Sequence, residues 1–356
     1  MTKARNLLRL NFSAFDKKWF LNYAYTQLRE GWVITDWKKE ILYFIIDWLS
    51  ESEEMKSTTS GSTGTPKTIA LKKEFVVNSA KATNQFFGLK KNDTALLCLP
   101  VKYIAGKLMI MRAMEQKMNL YCVEPSLTPS FDETSVDFAA MTPAQVASLL
   151  ETEKGTQLLE NIDKLIIGGD AIPVKLEEKL QILKTNVWNS YGMTETITHI
   201  ALRKVNGADA SQVFKTLPNV TVSLADDDCL IIDAPNIGVH QMKTNDIAEI
   251  FQDGSFKIRG RKDNVVISGG VKLFPEEIEK KLSGICKHPF YFAGVEDEKL
   301  GSKLVMVIET HVEINTNELL ELFRAKLDKF EIPKEFILVK EFVRTKSGKV
   351  KRVVVF

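Results

Sequence analysis

Cysteine and histidine are scarce in this chain, four of each among 356 residues. Cys98, Cys122, Cys229 and Cys286 are scattered and form no C-x-x-C pair. That argues against a disulfide framework or a zinc site and fits a reducing cytoplasm. No histidine sits in H-E-x-x-H, and no G-x-S-x-G is found, so zincin and serine-hydrolase signatures are missing. An excess of one charge is also missing. A net charge of +2 does not resemble the footprint of a dedicated nucleic-acid binder. Long apolar runs are absent too. The longest, Ile41 to Leu49, is interrupted by Asp47 and is far too short to span a bilayer. Met1 to Phe12 carries Lys3, Arg5 and Arg9 without an adequate apolar stretch, so no secretory signal is expected. No internal repeat is visible.

What is present begins with a dense Ser/Thr/Gly run, Thr58-Thr59-Ser60-Gly61-Ser62-Thr63-Gly64-Thr65-Pro66-Lys67. Its glycines admit positive φ, its amides and hydroxyls can converge on an anion, and Lys67 adds a cation. This chemistry suits a phosphate chain. Pro66 stands where a P-loop counted from Gly61 needs glycine, so a P-loop ATPase is disfavoured. Such runs also serve as linkers.

Around this run the sequence organises into two parts. Residues 1–56 look helical and aromatic-rich. Phe75, Ser79, Thr83 and Phe86 mark a helix over 72–87 with Gly88 as its stop. Strand, loop and helix then alternate. The strands are predicted near 94–99, 120–123, 138–141, 164–167 and 187–188, and the helices near 108–114, 144–150 and 174–183. That alternation predicts an α/β fold with a largely parallel sheet and ligands beyond the carboxyl ends of its strands. From 213 to 258 short β segments with turns take over, with Asp253-Gly254 as a hairpin signal. Gly260-Arg261-Lys262-Asp263 is a polar joint. The expected domains are 1–260 and a smaller α+β unit, 261–356. In the latter, helices are predicted at 275–282 and 315–330, and strands at 303–309 and 335–339.

Four further constellations carry chemistry. In Asn189-Ser190-Tyr191-Gly192-Met193-Thr194-Glu195-Thr196 an aromatic ring can stack on a base and a carboxylate can hold Mg²⁺. The same residues could equally be a strand-to-helix turn. Asp246 with Arg261 can bind a sugar diol, although surface Asp and Arg are common. Ser268-Gly269-Gly270 lets a backbone or thin ligand pass closely, or is a simple turn. Arg344 to Arg352 is a basic run in which the Ser347-Gly348 turn could aim Lys349 at an anion, or is a solvated tail.

Together and in this order, the five blocks resemble the adenylate-forming superfamily of acyl- and aryl-CoA ligases, peptide-synthetase adenylation domains and luciferases. The resemblance covers residues 58 to 352. It implies a large N-terminal domain of mixed and parallel sheets with helices and a small mobile C-terminal domain. ATP, Mg²⁺ and CoA are the implied cofactor and co-substrates. Thr59, Ser60, Gly61, Ser62, Thr63, Gly64, Thr65 and Lys67 would hold the ATP phosphates. Gly168, Gly169, Asp170, Asn189, Ser190, Tyr191, Gly192, Met193 and Thr194 would line the nucleotide. Glu195 would bind Mg²⁺, and Asp246 and Arg261 the ribose. Asp263 matches the hinge, Ser268, Gly269 and Gly270 the face met by CoA, and Lys349 the lysine that drives adenylation.

Within the superfamily the chain is most similar to the o-succinylbenzoate–CoA ligases of menaquinone synthesis. Asp263 to Gly270 with Pro275-Glu276-Glu277 and Leu99 to Arg112 carry that likeness. It implies an acid-binding set of Tyr103, Lys107, Arg112 and Gln145, with Arg112 serving a distal carboxylate. Tyr103, Ala105 and Lys107 depart from the family pattern, where His, Ser and Gln are usual. Only 57 residues precede Thr58, fewer than in typical relatives, which implies a shortened N-terminal region. Expected partners are a small carboxylic acid, ATP and CoA, with no nucleic acid and no membrane span. A homodimer is left open. The remaining alternatives are another acyl- or aryl-CoA ligase, a stand-alone adenylation domain, or a nucleotide-binding protein without catalysis.

Overall fold

A computed structural model describes residues 7–30, 35–58, 68–131, 135–344 and 350–354. They fold into two compact units, one of 7–58, 68–221 and 233–240, the other of 222–232 and 241–354.

The first unit is built on an eight-stranded sheet. Its strands are β1 (Leu7–Asn11), β4 (Thr94–Leu97), β5 (Asn119–Val123), β6 (Val136–Met141), β7 (Ile162–Ile167), β8 (Asn186–Gly192), β9 (His199–Lys204) and β10 (Lys215–Thr216). Their spatial order is β1-β5-β4-β6-β7-β8-β9-β10. The five strands from β5 to β8 run parallel, and β1, β9 and β10 are antiparallel additions at the edges. The parallel core was legible because a strand covered on both faces reads as a continuous apolar run, as Leu165, Ile166 and Ile167 do. The core joins Leu96, Ala139, Leu165, Ile167 and Val187 of the sheet to Val146, Leu149, Leu159, Leu176 and Leu180 of three short helices. These are α5 (Pro143–Leu149), α6 (Glu153–Glu160) and α7 (Val174–Leu180).

Four longer helices complete this unit: α1 (Lys17–Arg29), α2 (Asp36–Trp48), α3 (Lys73–Phe87) and α4 (Ile104–Gln116). On α3 the buried residues Val76, Ala80, Thr83 and Phe87 recur at helical spacing, and Gly88 ends the helix in the left-handed region at φ 58°. On α4 every residue from Leu108 to Met114 is buried, Arg112 included. Two expectations are corrected here. Residues 1–56 are not helical throughout, since Leu7–Asn11 forms an edge strand whose partner, β5, lies more than a hundred residues away. Asn189–Gly192 is not a loop but the end of β8, and an antiparallel strand follows it rather than a helix. A separate ribbon pairs β2 (Glu54–Thr58) with β3 (Thr68–Lys72) and closes with Thr58 opposite Thr68.

The second unit begins from a four-stranded sheet of β11 (Thr221–Leu224), β12 (Cys229–Ala234), β13 (Val239–Ile250) and β14 (Phe256–Arg261). Asp253-Gly254 makes the expected turn between β13 and β14, with Gly254 at φ 77°. A ribbon of β15 (Val266–Ser268) and β16 (Val271–Leu273) precedes α8 (Pro275–Lys281). A three-stranded sheet of β17 (Phe290–Asp297), β18 (Gly301–Glu309) and β19 (Glu335–Val339) follows, with α9 (Thr316–Arg324). Phe292, Leu304, Met306 and Ile308 pack with Ile278, Leu282 and Phe323 in its core. The helix capped by Asn315 ends at Arg324, earlier than its sequence suggests. All four cysteines are buried thiols. No helix among the described residues is long and apolar enough to cross a membrane.

Candidate active site

In the first unit the chemistry gathers at the carboxyl ends of β7 and β8, where ligands on such sheets bind. Gly168 packs so closely that a Cβ there would lie 2.3 Å from Ser190 Oγ. Gly169 follows at φ 88° beside open space, a backbone state that side chains rarely adopt. Asp170 is exposed, and its side chain accepts from the Ala171 amide. Asn189 is buried, donating to the Ile167 carbonyl and accepting from Arg203 Nε. Arg203 in turn grips Glu177 through two 2.9 Å bonds, which fixes the strand end from behind. Ser190 Oγ donates to the same Ile167 carbonyl, and the Tyr191 ring is tilted against Phe214.

The β8–β9 turn is tight. A Cβ on Gly192 would fall 2.3 Å from the Thr198 carbonyl and 2.4 Å from His199 Cα, so only glycine fits. Thr196 Oγ1 ties the turn, accepting from the Met193 amide and lying 2.6 Å from the Thr198 carbonyl. Ile197 sits at φ 65°, in the left-handed region that costs a β-branched residue about 1–3 kcal/mol. Met193 and Thr194 lie on this turn half-buried, and Glu195 is exposed on it.

Beneath the turn lies Arg112 of α4, only 3% exposed. Its guanidinium donates to Thr198 Oγ1 at 3.4 Å and to Met109 Sδ at 3.5 Å, while Nε has no partner among the described residues. No carboxylate among the described residues pairs with it. Burial pushes the group down to about 9, so it stays protonated at neutral pH. An uncompensated buried cation is costly.

The other expected acid-binding residues are placed differently. Tyr103 caps α4 and bridges to Thr58. Lys107, half-buried, donates to the Lys56 carbonyl and lies over the Phe44 ring. Burial lowers its pKa. Gln145 is buried in a capping box with Thr142, and its amide nitrogen donates to the carbonyls of Cys98 and Ser126. The T-x-x-Q spacing signals that cap in the sequence.

A second group lies in the second unit. Asp246 and Arg261 face each other across β13 and β14, with Oδ1 and Nη1 3.1 Å apart. Arg261 also reaches Asp263 at 3.6 Å, and Asn245 lies 3.5 Å from the same carboxylate. Gly269 and Gly270, at φ 55° and 81°, form the two-residue turn between Ser268 and Val271. Thr59 to Lys67 and Lys349 lie outside the described residues, so the phosphate loop and the adenylation lysine remain expectations of sequence.

Thr198, His199 and Thr83 carry no motif that sequence reasoning could single out. His199 is buried against Arg112, and its ring stands 3.2 Å from Thr83 of α3, 116 residues earlier. Among the described residues no cluster of three His, Cys, Asp or Glu side chains could hold a metal. A single exposed carboxylate such as Glu195 suits Mg²⁺, which keeps water and phosphate oxygens among its ligands.

A model of the AMP-binding enzymes matches residues 57–236. The chain is 27% identical over 323 residues to a 2-succinylbenzoate–CoA ligase of Staphylococcus epidermidis, covering 83% of this chain and 67% of that enzyme. Its fold resembles that of an AMP-forming acyl-CoA synthetase/AMP-acid ligase II-like protein from Dyadobacter fermentans. There the identity is 33% and the TM-score 0.63, covering 89% of this chain and 93% of that one. An o-succinylbenzoate–CoA synthetase from Bacillus subtilis, solved with ATP and magnesium, shares the fold at a TM-score of 0.66. It is 21% identical and is matched over 96% of this chain and 82% of its own.

Proposed function

The chain belongs to the AMP-binding enzyme family, and from that premise we propose that it is an AMP-forming acid–CoA ligase whose acid is o-succinylbenzoate, feeding menaquinone synthesis. The reaction has two steps. A carboxylate oxygen of the acid attacks the α-phosphorus of ATP, and pyrophosphate leaves. The CoA thiol then attacks the acyl carbon, and AMP leaves. Both partners of the first step are anions, so the site's main task is neutralising charge in a preorganised frame.

The residues divide that task. Gly168, Gly169 and Tyr191 flank the adenine. Asp246 accepts from the ribose hydroxyls beside Arg261. The phosphate loop and Lys349 stabilise the transferring phosphorus, and Mg²⁺ held by Glu195 would neutralise phosphate charge. The mobile part begins at residue 261 and turns at Asp263.

The choice of acid rests on Arg112. A buried guanidinium without an anion beside it among the described residues suits a substrate that carries a second carboxylate. The Staphylococcus relative, a ligase named for the same acid, supports that choice. The test is incubation with Mg-ATP, CoA and, separately, o-succinylbenzoate, benzoate and a medium-chain fatty acid, following AMP and acyl-CoA by mass spectrometry. Product with o-succinylbenzoate alone is expected. Product only with the monocarboxylates would keep the ligase and overturn the acid.

A further inference from the structure

The hydroxyls and imidazole beneath the β8–β9 turn form one chain whose polarity can be read from its fixed end. The Ser79 carbonyl can only accept, so Thr83 Oγ1, 3.1 Å away, donates to it. Thr83 Oγ1 has thus used its only proton, and its 3.2 Å contact with His199 Nε2 requires that nitrogen to donate. The neutral ring then carries its proton on Nε2, and Nδ1 is an acceptor. Nδ1 lies 3.5 Å from Thr198 Oγ1, whose proton it receives. That leaves the Thr198 oxygen lone pairs for the other end, where Arg112 Nη2 donates at 3.4 Å. Each bond of the chain then has one donor and one acceptor, from Arg112 Nη2 through Thr198, His199 and Thr83 to the backbone of α3.

A protonated imidazole would break this order, because Nδ1–H would oppose Thr198 O–H and bring a second cation against Arg112. Burial and the Arg112 charge both hold the ring neutral. Gly192 and the strained Ile197 set Thr198 and His199 at this depth, and Asn84 holds the Arg112 backbone from α3 through a 3.0 Å bond to its carbonyl.

We propose that His199, as the Nε2–H tautomer, is a positioning residue for acid selection. It orients the Thr198 hydroxyl so that Arg112 presents its remaining N–H groups to a carboxylate of the substrate. The inference rests on the reading that Arg112 receives that carboxylate.

The test measures KM for o-succinylbenzoate and for ATP in His199→Leu, His199→Asn, Thr198→Val and Arg112→Met, and in the double variant His199→Leu/Arg112→Met. Losing the orienting bond is worth about tenfold. His199→Leu and Thr198→Val should therefore raise the acid KM about tenfold and leave the ATP KM unchanged. His199→Asn, which restores an acceptor near Nδ1, should recover most of the loss. The double variant should be no worse than Arg112→Met alone. If Arg112→Met leaves the acid KM unchanged, the reading of the substrate site fails and the inference with it. If Arg112→Met raises it but the Thr198 and His199 variants do not, the inference alone is overturned. Should the His199 variants fail to fold, long-range ¹H–¹⁵N spectra of the wild-type protein decide. A neutral Nε2–H signature for His199 is expected, and an Nδ1–H or doubly protonated ring would overturn the assignment.

Discussion

Two arginines of this molecule stand at opposite ends of one physical scale. Arg112 is buried in the first unit with a hydroxyl and a thioether for company. Arg261 lies in the second unit with 44% of its side chain exposed and two carboxylates beside it. The half-exposed arginine is screened by water, and its contact with exposed Asp263 is worth about 0–1 kcal/mol, whereas its other partner, Asp246, is buried. The buried one pays for desolvation without an anion among the described residues. A charge paired within the fold is held in place before its ligand arrives, whereas a charge left unbalanced at depth among the described residues calls for an anion from the ligand.

The largest expected effect lies with a third cation, Lys349, to which the family resemblance gives the phosphorus chemistry proposed above. Lys349→Ala should slow acyl-adenylate formation by about 10²–10³ while thioester formation from supplied acyl-adenylate persists. Half-reaction kinetics would check this, and equal loss of both steps would contradict the assignment. Next comes the buried arginine. Arg112→Met should raise the acid KM by about 10²-fold, as loss of a desolvated charge pair does. It should also stabilise the folded protein by about 1–3 kcal/mol, since an apolar side chain of similar length replaces a buried charge. Denaturant titration beside steady-state kinetics would show both, and a destabilised variant would break the comparison.

Arg261→Ala should reverse the effect on stability and have a smaller effect on binding. We expect the ATP KM to rise about tenfold and the fold to lose about 1–3 kcal/mol, since Asp246, with only 11% of its side chain exposed, loses its charged partner. The smallest effect concerns His199. Its folded pKa lies well below the ordinary 6.5, so the unfolded chain binds a proton that the fold refuses. Stability is therefore full above about pH 6.5 and falls as pH drops through that value. The loss is about 1 kcal/mol by pH 5.5. His199→Asn should abolish that component, which unfolding curves at pH 5.5 and 7.5 would reveal.

Local signals carried much of the architecture. Gly88, Asp253-Gly254 and Pro275 mark a helix end, a hairpin and a helix start, because each is decided within a few residues. The parallel strands were legible from apolar runs. The pairing of β1 with β5 was not, because an edge strand is chosen by a partner far along the chain. Asn189–Gly192 looked like a loop because its polar residues hide a strand whose bonds run to β7 and β9. Arg112 stands out by resemblance, but its lack of a carboxylate partner among the described residues emerges only from the packing of α4. The Thr83–His199 contact joins residues 116 positions apart, so no spacing rule could announce it.

The four buried thiols give the molecule an internal clock. Burial pushes Cys98 up to about 12 and raises Cys122 still further, so neither is nucleophilic while the sheet is closed. Both belong to the first unit, whereas Cys229 and Cys286 belong to the second. An alkylating reagent applied under native conditions would therefore modify each pair only as its own unit opens. Peptide mapping of the label over time would read out which half of the enzyme breathes first.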